Sequence, residues 1–252
     1  MRSGTKGLGR SALSAEPAFV IKAAAGVAAL GLAHIGPAAS WLPPVRDRLL
    51  PRLAARGRPD HVALTFDDGP DPVSTPLFLD LLDELGVRAT FFVLGCRVAR
   101  HPEVVAETVA RGHEVAVHGW EHRTQWLPGP ERDVRDLRQA RDLIEEVCEQ
   151  RPRWFRPPFG ILTSGLWRAA RRAELRPVLW GAWGGDWVEG RSPAEIERTV
   201  LSDTRGGTTI LLHDTAPDGG GTAWRGTLVS VPRIVEHCQD AGWSVGPLAE
   251  HF

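Results

Sequence analysis

Short apolar runs alternate with amphipathic segments from residue 61 to the end of the chain. Strands are predicted at 61–66, 89–94, 114–117, 153–156, 177–182, 208–212 and 243–245. Helices are predicted at 77–85, 102–111, 131–150, 164–174, 193–203 and 226–241. Such alternation predicts parallel strands joined by right-handed helical crossovers. About seven βα units in one α/β domain indicate a sheet that closes, or nearly closes, into a barrel.

Length, charge and cysteine content narrow the class of protein. A chain of 252 residues suits one α/β domain of barrel size or two small domains. Its net charge of -1, from 30 basic and 31 acidic residues, provides no global attraction for nucleic acid. The cysteines, Cys96, Cys148 and Cys238, are odd in number and form no CxxC pair. They disfavour both a disulfide framework and a cysteine-based zinc knuckle.

The first 40 residues differ in character from the rest. A basic start is followed by an Ala-rich apolar run at 18–32, which only Lys22 interrupts, and then by small residues. This order predicts a leader or signal anchor at 1–40, with membrane contact through the N-terminus. The Ala- and Gly-rich composition makes a weak membrane span, so a helix packed on the domain is the alternative. Residues 41–60 predict a linker and 61–252 the main domain, while the cellular location stays open.

Polar side chains with catalytic potential follow the predicted strands. They are Asp67 and Asp68 after the first strand, His118 and His122 after the third, Arg156 at the end of the fourth, Asp186 after the fifth and His213 after the sixth. In a parallel barrel the carboxyl ends of the strands share one face, which is where active sites are built. The coincidence of these residues at one face predicts a catalytic site.

Two histidines and two aspartates in this set suggest a metal centre. His118 and His122 are four residues apart and can converge on one ion if a helical turn begins there. Two imidazoles and one carboxylate with open positions are typical of a catalytic Zn²⁺ site. Consecutive aspartates point in different directions, so one of Asp67 and Asp68 can bind metal while the other acts as a base.

Five short segments resemble the motifs of a known family. They are Thr65–Pro70, His118–His122, Arg156–Gly160, Asp186–Trp187 and Leu211–His213. In this order they resemble the five motifs of the polysaccharide deacetylase family, carbohydrate esterase family 4. The resemblance spans about residues 61–250, which it identifies as a catalytic domain. It implies a distorted (β/α)7 barrel and metal-dependent removal of N-acetyl groups from GlcNAc-containing glycans such as peptidoglycan or chitin oligosaccharides.

The resemblance also implies a role for each residue. Asp67 is the general base, Arg156 orients it, His213 is the general acid and Asp186 tunes that histidine. Asp68, His118 and His122 bind Zn²⁺ or another divalent transition metal. The expected substrate-binding residues are Phe159, Leu211, Trp183 and Trp187, with Leu211 against the acetyl methyl group. The sequence departs from the common family pattern at Gly119, Phe159 and Trp183, but none of these changes removes a ligand or a proton-transfer group.

Two other functions compete with this one. The first is removal of acyl or formyl groups from lipid-linked sugars at a membrane, which the N-terminal segment would suit. The second is a catalytically silent barrel that only binds carbohydrate. The sequence leaves open the glycan, its length and linkage, the metal and the oligomeric state.

Overall fold

A computed structural model of the chain describes residues 17–50, 52–127, 129–216 and 220–252. The basic start of the predicted leader, residues 1–16, therefore lies outside the described residues. The chain begins with helix α1 (Pro17–Ile35), a 3₁₀ turn (Gly36–Trp41) and helix α2 (Pro43–Leu49). Among the described residues, no helix combines the length and apolar character that a membrane crossing requires. A leader or anchor at 1–40 stays a prediction.

The remaining elements alternate as the sequence predicts. The strands are β1 (His61–Asp67), β2 (Thr90–Val93), β3 (Glu114–Val117), β4 (Trp154–Phe155), β5 (Arg176–Pro177), β6 (Ala182–Trp183), β7 (Thr209–His213) and β8 (Ser244–Gly246). The helices are α3 (Ser74–Leu85), α4 (Gly95–Val98), α5 (Pro102–Ala110), α6 (Pro130–Cys148), α7 (Ser164–Arg172), α8 (Pro193–Asp203) and α9 (Trp224–Asp240).

These strands form one curled parallel sheet with the helices around it. Their order is β5-β4-β3-β2-β1-β7-β6, and β8 pairs with the first half of β1. All seven residues of β1 are buried, as expected for the central strand of a covered parallel sheet. The Phe66 ring lies 5.2 Å from the rings of both Phe78 on α3 and Phe91 on β2. This packing holds the carboxyl end of β1 in a fixed position within the barrel.

The strand predicted at 177–182 is wrong as a continuous element. Only its first and last residues lie in strands, Pro177 in β5 and Ala182 in β6, and residues 178–181 separate the two. β5 pairs with β4 at one end of the sheet, whereas β6 pairs with β7 at the other end. Four residues therefore connect the two ends of the sheet, and the predicted distorted (β/α)7 barrel is confirmed.

Part of the predicted linker packs against this connection. The Leu179 N–H donates a hydrogen bond of 2.7 Å to the carbonyl oxygen of Leu53. The Thr209 hydroxyl donates to the Ala55 carbonyl at 2.6 Å. Leu53, Ala54 and Ala55 are buried. The chain therefore makes barrel contacts before the first strand begins.

Candidate active site

A cavity of about 370 Å³ opens at the carboxyl ends of the strands. This volume lies within the range of small-molecule sites, roughly 300–1,000 Å³. The cavity is lined by Trp41, Asp67, Asp68, His118, His122, Phe159, Gly160, Ile161, Trp180, Trp183, Trp187, Leu211 and His213. Arg156 and Asp186 are buried and bond to Asp67 and His213. The structure thus brings together every site residue that the sequence predicts.

The two aspartates diverge because the backbone turns between them. Asp67 is the last residue of β1, whereas Asp68 follows it with a φ of 80°. A positive φ is uncommon for a residue other than glycine, although aspartate tolerates it better than most. The Asp67 carboxylate forms an ion pair with Arg156. The Asp68 carboxylate lies beside the imidazoles of His118 and His122. The expectation that adjacent aspartates serve different neighbours is consistent with this geometry.

Asp68, His118 and His122 form a compact donor cluster. One potential ligand atom from each residue lies within 4.8 Å of the others. Asp68 Oδ1 is 3.3 Å from Nε2 of both histidines. His118 Nδ1 hydrogen-bonds to the carbonyl oxygen of Arg156 at 2.8 Å, which leaves Nε2 facing the cluster. The imidazoles converge through bends and a positive φ of 109° at Gly119, and not through the helical turn considered from the sequence.

The charge of this cluster is concentrated on Asp68. Burial disfavours ionisation of the carboxyl group, but contact with His118 and the nearby imidazoles hold the pKa of Asp68 well below its usual value. Burial lowers the pKa of His122, so its neutral, ligand-competent form is favoured. Neither carboxylate oxygen of Asp68 has a hydrogen-bond partner among the described residues. A buried, unpartnered carboxylate beside two imidazole nitrogens is well suited to hold a cation.

Arg156 fixes the position of Asp67. Its Nη1 donates to Asp67 Oδ1 at 2.6 Å and to the Thr65 hydroxyl oxygen at 2.8 Å. Its Nη2 donates to the carbonyl oxygen of Leu179 at 3.0 Å. The guanidinium carbon also lies 4.0 Å from the centre of the Phe92 ring. Arg156 is fully buried and bonds one carboxylate oxygen of Asp67, a residue that also lines the cavity.

His213 forms a second polar pair on the opposite side of β1. Asp186 accepts hydrogen bonds from the His213 ring at 3.0 Å and from the His213 backbone N–H at 2.8 Å. The Thr227 hydroxyl, on α9, donates to the same carboxylate at 2.8 Å. Burial opposes a positive charge on the ring, but the Asp186 carboxylate outweighs it and raises the pKa of His213 to about 9. This shift favours the protonated form of His213 at neutral pH.

Apolar side chains form the rest of the wall. Leu211 is buried at the cavity floor. The Trp183 and Trp187 rings lie 4.9 Å apart, and Trp187 makes an edge contact with His213 at 5.5 Å. Phe159, at a φ of 58°, lies 4.3 Å from the His122 ring and is half exposed. The cavity thus combines charged groups with flat apolar faces.

The sequence did not predict four residues that line or support the site. Trp41 and Trp180 line the cavity, and Thr65 and Thr227 hold Arg156 and Asp186. Thr65 lies in the first motif segment, but no local pattern marks it as a partner of Arg156. Trp41 belongs to the stretch interpreted as a linker, where no pattern in the sequence marks it as part of the site. These contacts depend on long-range packing.

Comparisons with known proteins identify relatives of this chain. A family model described as polysaccharide deacetylase matches residues 54–178. A chitooligosaccharide deacetylase of Sinorhizobium fredii is 36% identical over 211 residues, which cover 81% of this chain and 96% of the relative. A peptidoglycan-N-acetylglucosamine deacetylase of Bacillus cereus is 31% identical over 191 residues, 75% of this chain and 86% of the relative. A family 4 acetyl xylan esterase of Clostridium thermocellum, solved in complex with a cobalt ion, is 30% identical with a TM-score of 0.68, covering 75% of this chain and 88% of that one.

Proposed function

We propose that the chain is a metal-dependent N-deacetylase of GlcNAc-containing glycans. It belongs to the polysaccharide deacetylase family, whose named relatives include hydrolases of N-acetyl groups in glycans. One observation carries the proposal. A single cavity holds a carboxylate paired with arginine, a histidine paired with aspartate and a cluster of three potential metal ligands, beside the apolar side chain of Leu211. Amide hydrolysis needs a base, an acid, an electrophile and a place for the acyl group.

We assign the metal to Asp68, His118 and His122. The donor set of one carboxylate and two imidazoles suits Zn²⁺ or another divalent transition metal. The buried, unpartnered oxygens of Asp68 and the inward-facing Nε2 of His118 support this fit. When bound there, a divalent ion would polarise the acetyl carbonyl and lower the pKa of water.

Asp67 is the proposed general base. It accepts the proton of the water that attacks the acetyl carbonyl carbon. The 2.6 Å bond from Arg156 fixes the orientation of this carboxylate. Asp67 lines the same cavity as the proposed metal cluster, and its Oδ2 lies 3.9 Å from His118 Nδ1, which supports a base close to the metal.

His213 is the proposed general acid. It donates a proton to the leaving nitrogen as the carbon–nitrogen bond breaks, so that acetate and a free amine are produced. Asp186 keeps the imidazole protonated and oriented, and Thr227 fixes Asp186. The raised pKa of about 9 is suited to an acid that must be charged at neutral pH.

The apolar wall is the proposed substrate-binding surface. Leu211 would contact the acetyl methyl group, while Trp183 and Trp187 would offer flat faces to the sugar. The backbone N–H of Phe159 would donate to the oxyanion that forms on the acetyl carbonyl. The proposed partner is thus an N-acetylated glycan, and membrane contact through the N-terminus stays a prediction from the sequence.

Acetate release tests the proposed function directly. We expect protein reconstituted with Zn²⁺ or Co²⁺ to release acetate from GlcNAc oligomers or peptidoglycan, and to lose activity on chelation. An N-acylated lipid-linked sugar in detergent and an O-acetylated xylan complete the panel. Release only from the lipid-linked sugar would favour the membrane alternative, and release only from xylan would favour an esterase. Glycan binding without any acetate release would indicate a silent barrel.

The Asp186–His213 pair predicts a shift in pH dependence. In Asp186→Asn the charge that raises the pKa of His213 is lost, so that pKa falls. Because the acid acts only while protonated, the alkaline limb of the pH profile of kcat/KM should move to lower pH. Thr227→Val is the matched control, because it removes a hydrogen bond to Asp186 and leaves the charge. An unmoved or upward-shifted limb in Asp186→Asn would contradict the pairing.

A further inference from the structure

Trp41 approaches the active site from outside the region that the family model matches. It ends the 3₁₀ turn at Gly36–Trp41, 13 residues before the match begins at residue 54. Nevertheless it lines the same cavity as the metal cluster and His213. About 47% of its surface remains exposed, although Ser40 beside it is buried. A large apolar ring at the rim of a polar cleft is available to a ligand.

The Trp41 position is fixed by contacts with the third motif segment. A Cβ atom added to Gly160 would lie 3.3 Å from Trp41 Cδ1 and 2.6 Å from Trp180 Cη2. Gly160 also has a φ of 68°, so both backbone conformation and space favour glycine there. The loop that carries Arg156 and Phe159 therefore packs directly against Trp41.

The buried side chain of Arg46 contacts the backbone of Trp41. Arg46 is 3% exposed, and its guanidinium lies 5.6 Å from the centre of the Trp180 ring. Its Nη1 donates a hydrogen bond of 3.4 Å to the carbonyl oxygen of Trp41. The segment before β1 is thus anchored to the connection between β5 and β6, and its tryptophan is presented to the cavity.

We propose that Trp41 is a substrate-binding residue that stacks on a sugar next to the one being deacetylated. The inference rests on the proposed function for the class of ligand, an N-acetylated oligosaccharide. Trp41, Phe159 and Trp187 are each at least 38% exposed at the same cavity. Such exposed flat faces suit the apolar faces of pyranose rings, whose hydroxyl groups project from their edges. The segment before the barrel therefore contributes to the choice of glycan length.

Binding measured by calorimetry tests this role without turnover. The ligand is the GlcNAc tetrasaccharide, and the background is the Asp67→Asn variant loaded with Zn²⁺. We expect Trp41→Leu to weaken binding about three- to tenfold, because it keeps apolar packing and loses the flat face. Trp41→Phe should retain most of the affinity. Trp126→Leu is the matched control, since Trp126 is similarly exposed at 43% and does not line the cavity.

The outcomes separate this inference from the proposed function. If Trp41→Leu binds the tetrasaccharide as tightly as the Trp41-containing protein does, the proposed role of Trp41 is wrong and the proposed function is unaffected. Absence of binding in the Trp41-containing protein would overturn the role and the substrate class together. Binding that depends on Trp41, without acetate release by the protein with Asp67 intact, would support the inference and reject the deacetylase. Equal losses in Trp41→Leu and Trp41→Phe, with an unchanged Tm for both, would contradict stacking.

Discussion

Replacement of Asp67 by asparagine is expected to lower kcat by about 10²–10⁴-fold, the usual contribution of a proton-transfer group. The amide oxygen can still accept the 2.6 Å hydrogen bond from Arg156, so the buried guanidinium keeps a partner. The side chain keeps its size and loses only its ability to take a proton from water. The measurement is the rate of acetate release from a GlcNAc oligomer by protein of equal metal content.

Metal analysis distinguishes the two aspartates. Asp67→Asn should retain its bound Zn²⁺, whereas Asp68→Asn should lose most of it, because only Asp68 faces both imidazoles at 3.3 Å. If Asp67→Asn lost as much metal as Asp68→Asn, Asp67 would be a ligand and its role as a base would be wrong. Comparing the two neighbours in this way separates proton transfer from coordination.

The sequence predicts the barrel well where local pattern and final packing agree. β3 and α8 have the bounds that the sequence predicts, β1 is one residue longer at its end, and β7 is shifted by one residue at both ends. The strands are short apolar runs and α8 is an amphipathic segment, so the local sequence already indicates each element. The motif segments lie at strand ends, so a correct strand order is sufficient to bring them together.

The sequence predicts the structure less well where contacting residues are far apart in the chain. The segment 177–182 reads as one strand because it is apolar throughout, yet β5 and β6 pair at opposite ends of the sheet. The curl of the sheet brings its two ends to either side of residues 178–181, and that curl is a property of all the strands together. Thr227 supports Asp186 across 41 positions of sequence, and Trp41 reaches the cavity from a stretch without regular periodicity. Neither contact leaves a local signal.

Hydrogen bonds to neighbouring residues explain how most polar groups of the site can be buried. Asp67 and Arg156 are both buried and bonded to each other, and Asp186 accepts three hydrogen bonds. By contrast, the oxygens of Asp68 lack such partners among the described residues. An ionised carboxylate without a partner is costly to bury. The difference between the three carboxylates supports the proposal that Asp68 is the one that holds a cation.

Loss of one imidazole from the cluster should remove both metal and activity. His122→Ala is the cleaner variant, because His118 also hydrogen-bonds to the Arg156 carbonyl and its removal would leave that buried acceptor unpaired. We expect His122→Ala to fold with a near-normal Tm in the metal-free state, to hold little Zn²⁺ after dialysis and to release no detectable acetate. His237→Ala, which changes an exposed histidine on α9 outside the cavity, should match the unsubstituted protein in all three measurements. Full metal occupancy together with full activity in His122→Ala would overturn the assignment of the cluster, because a site with three protein ligands cannot lose one without a large loss of affinity.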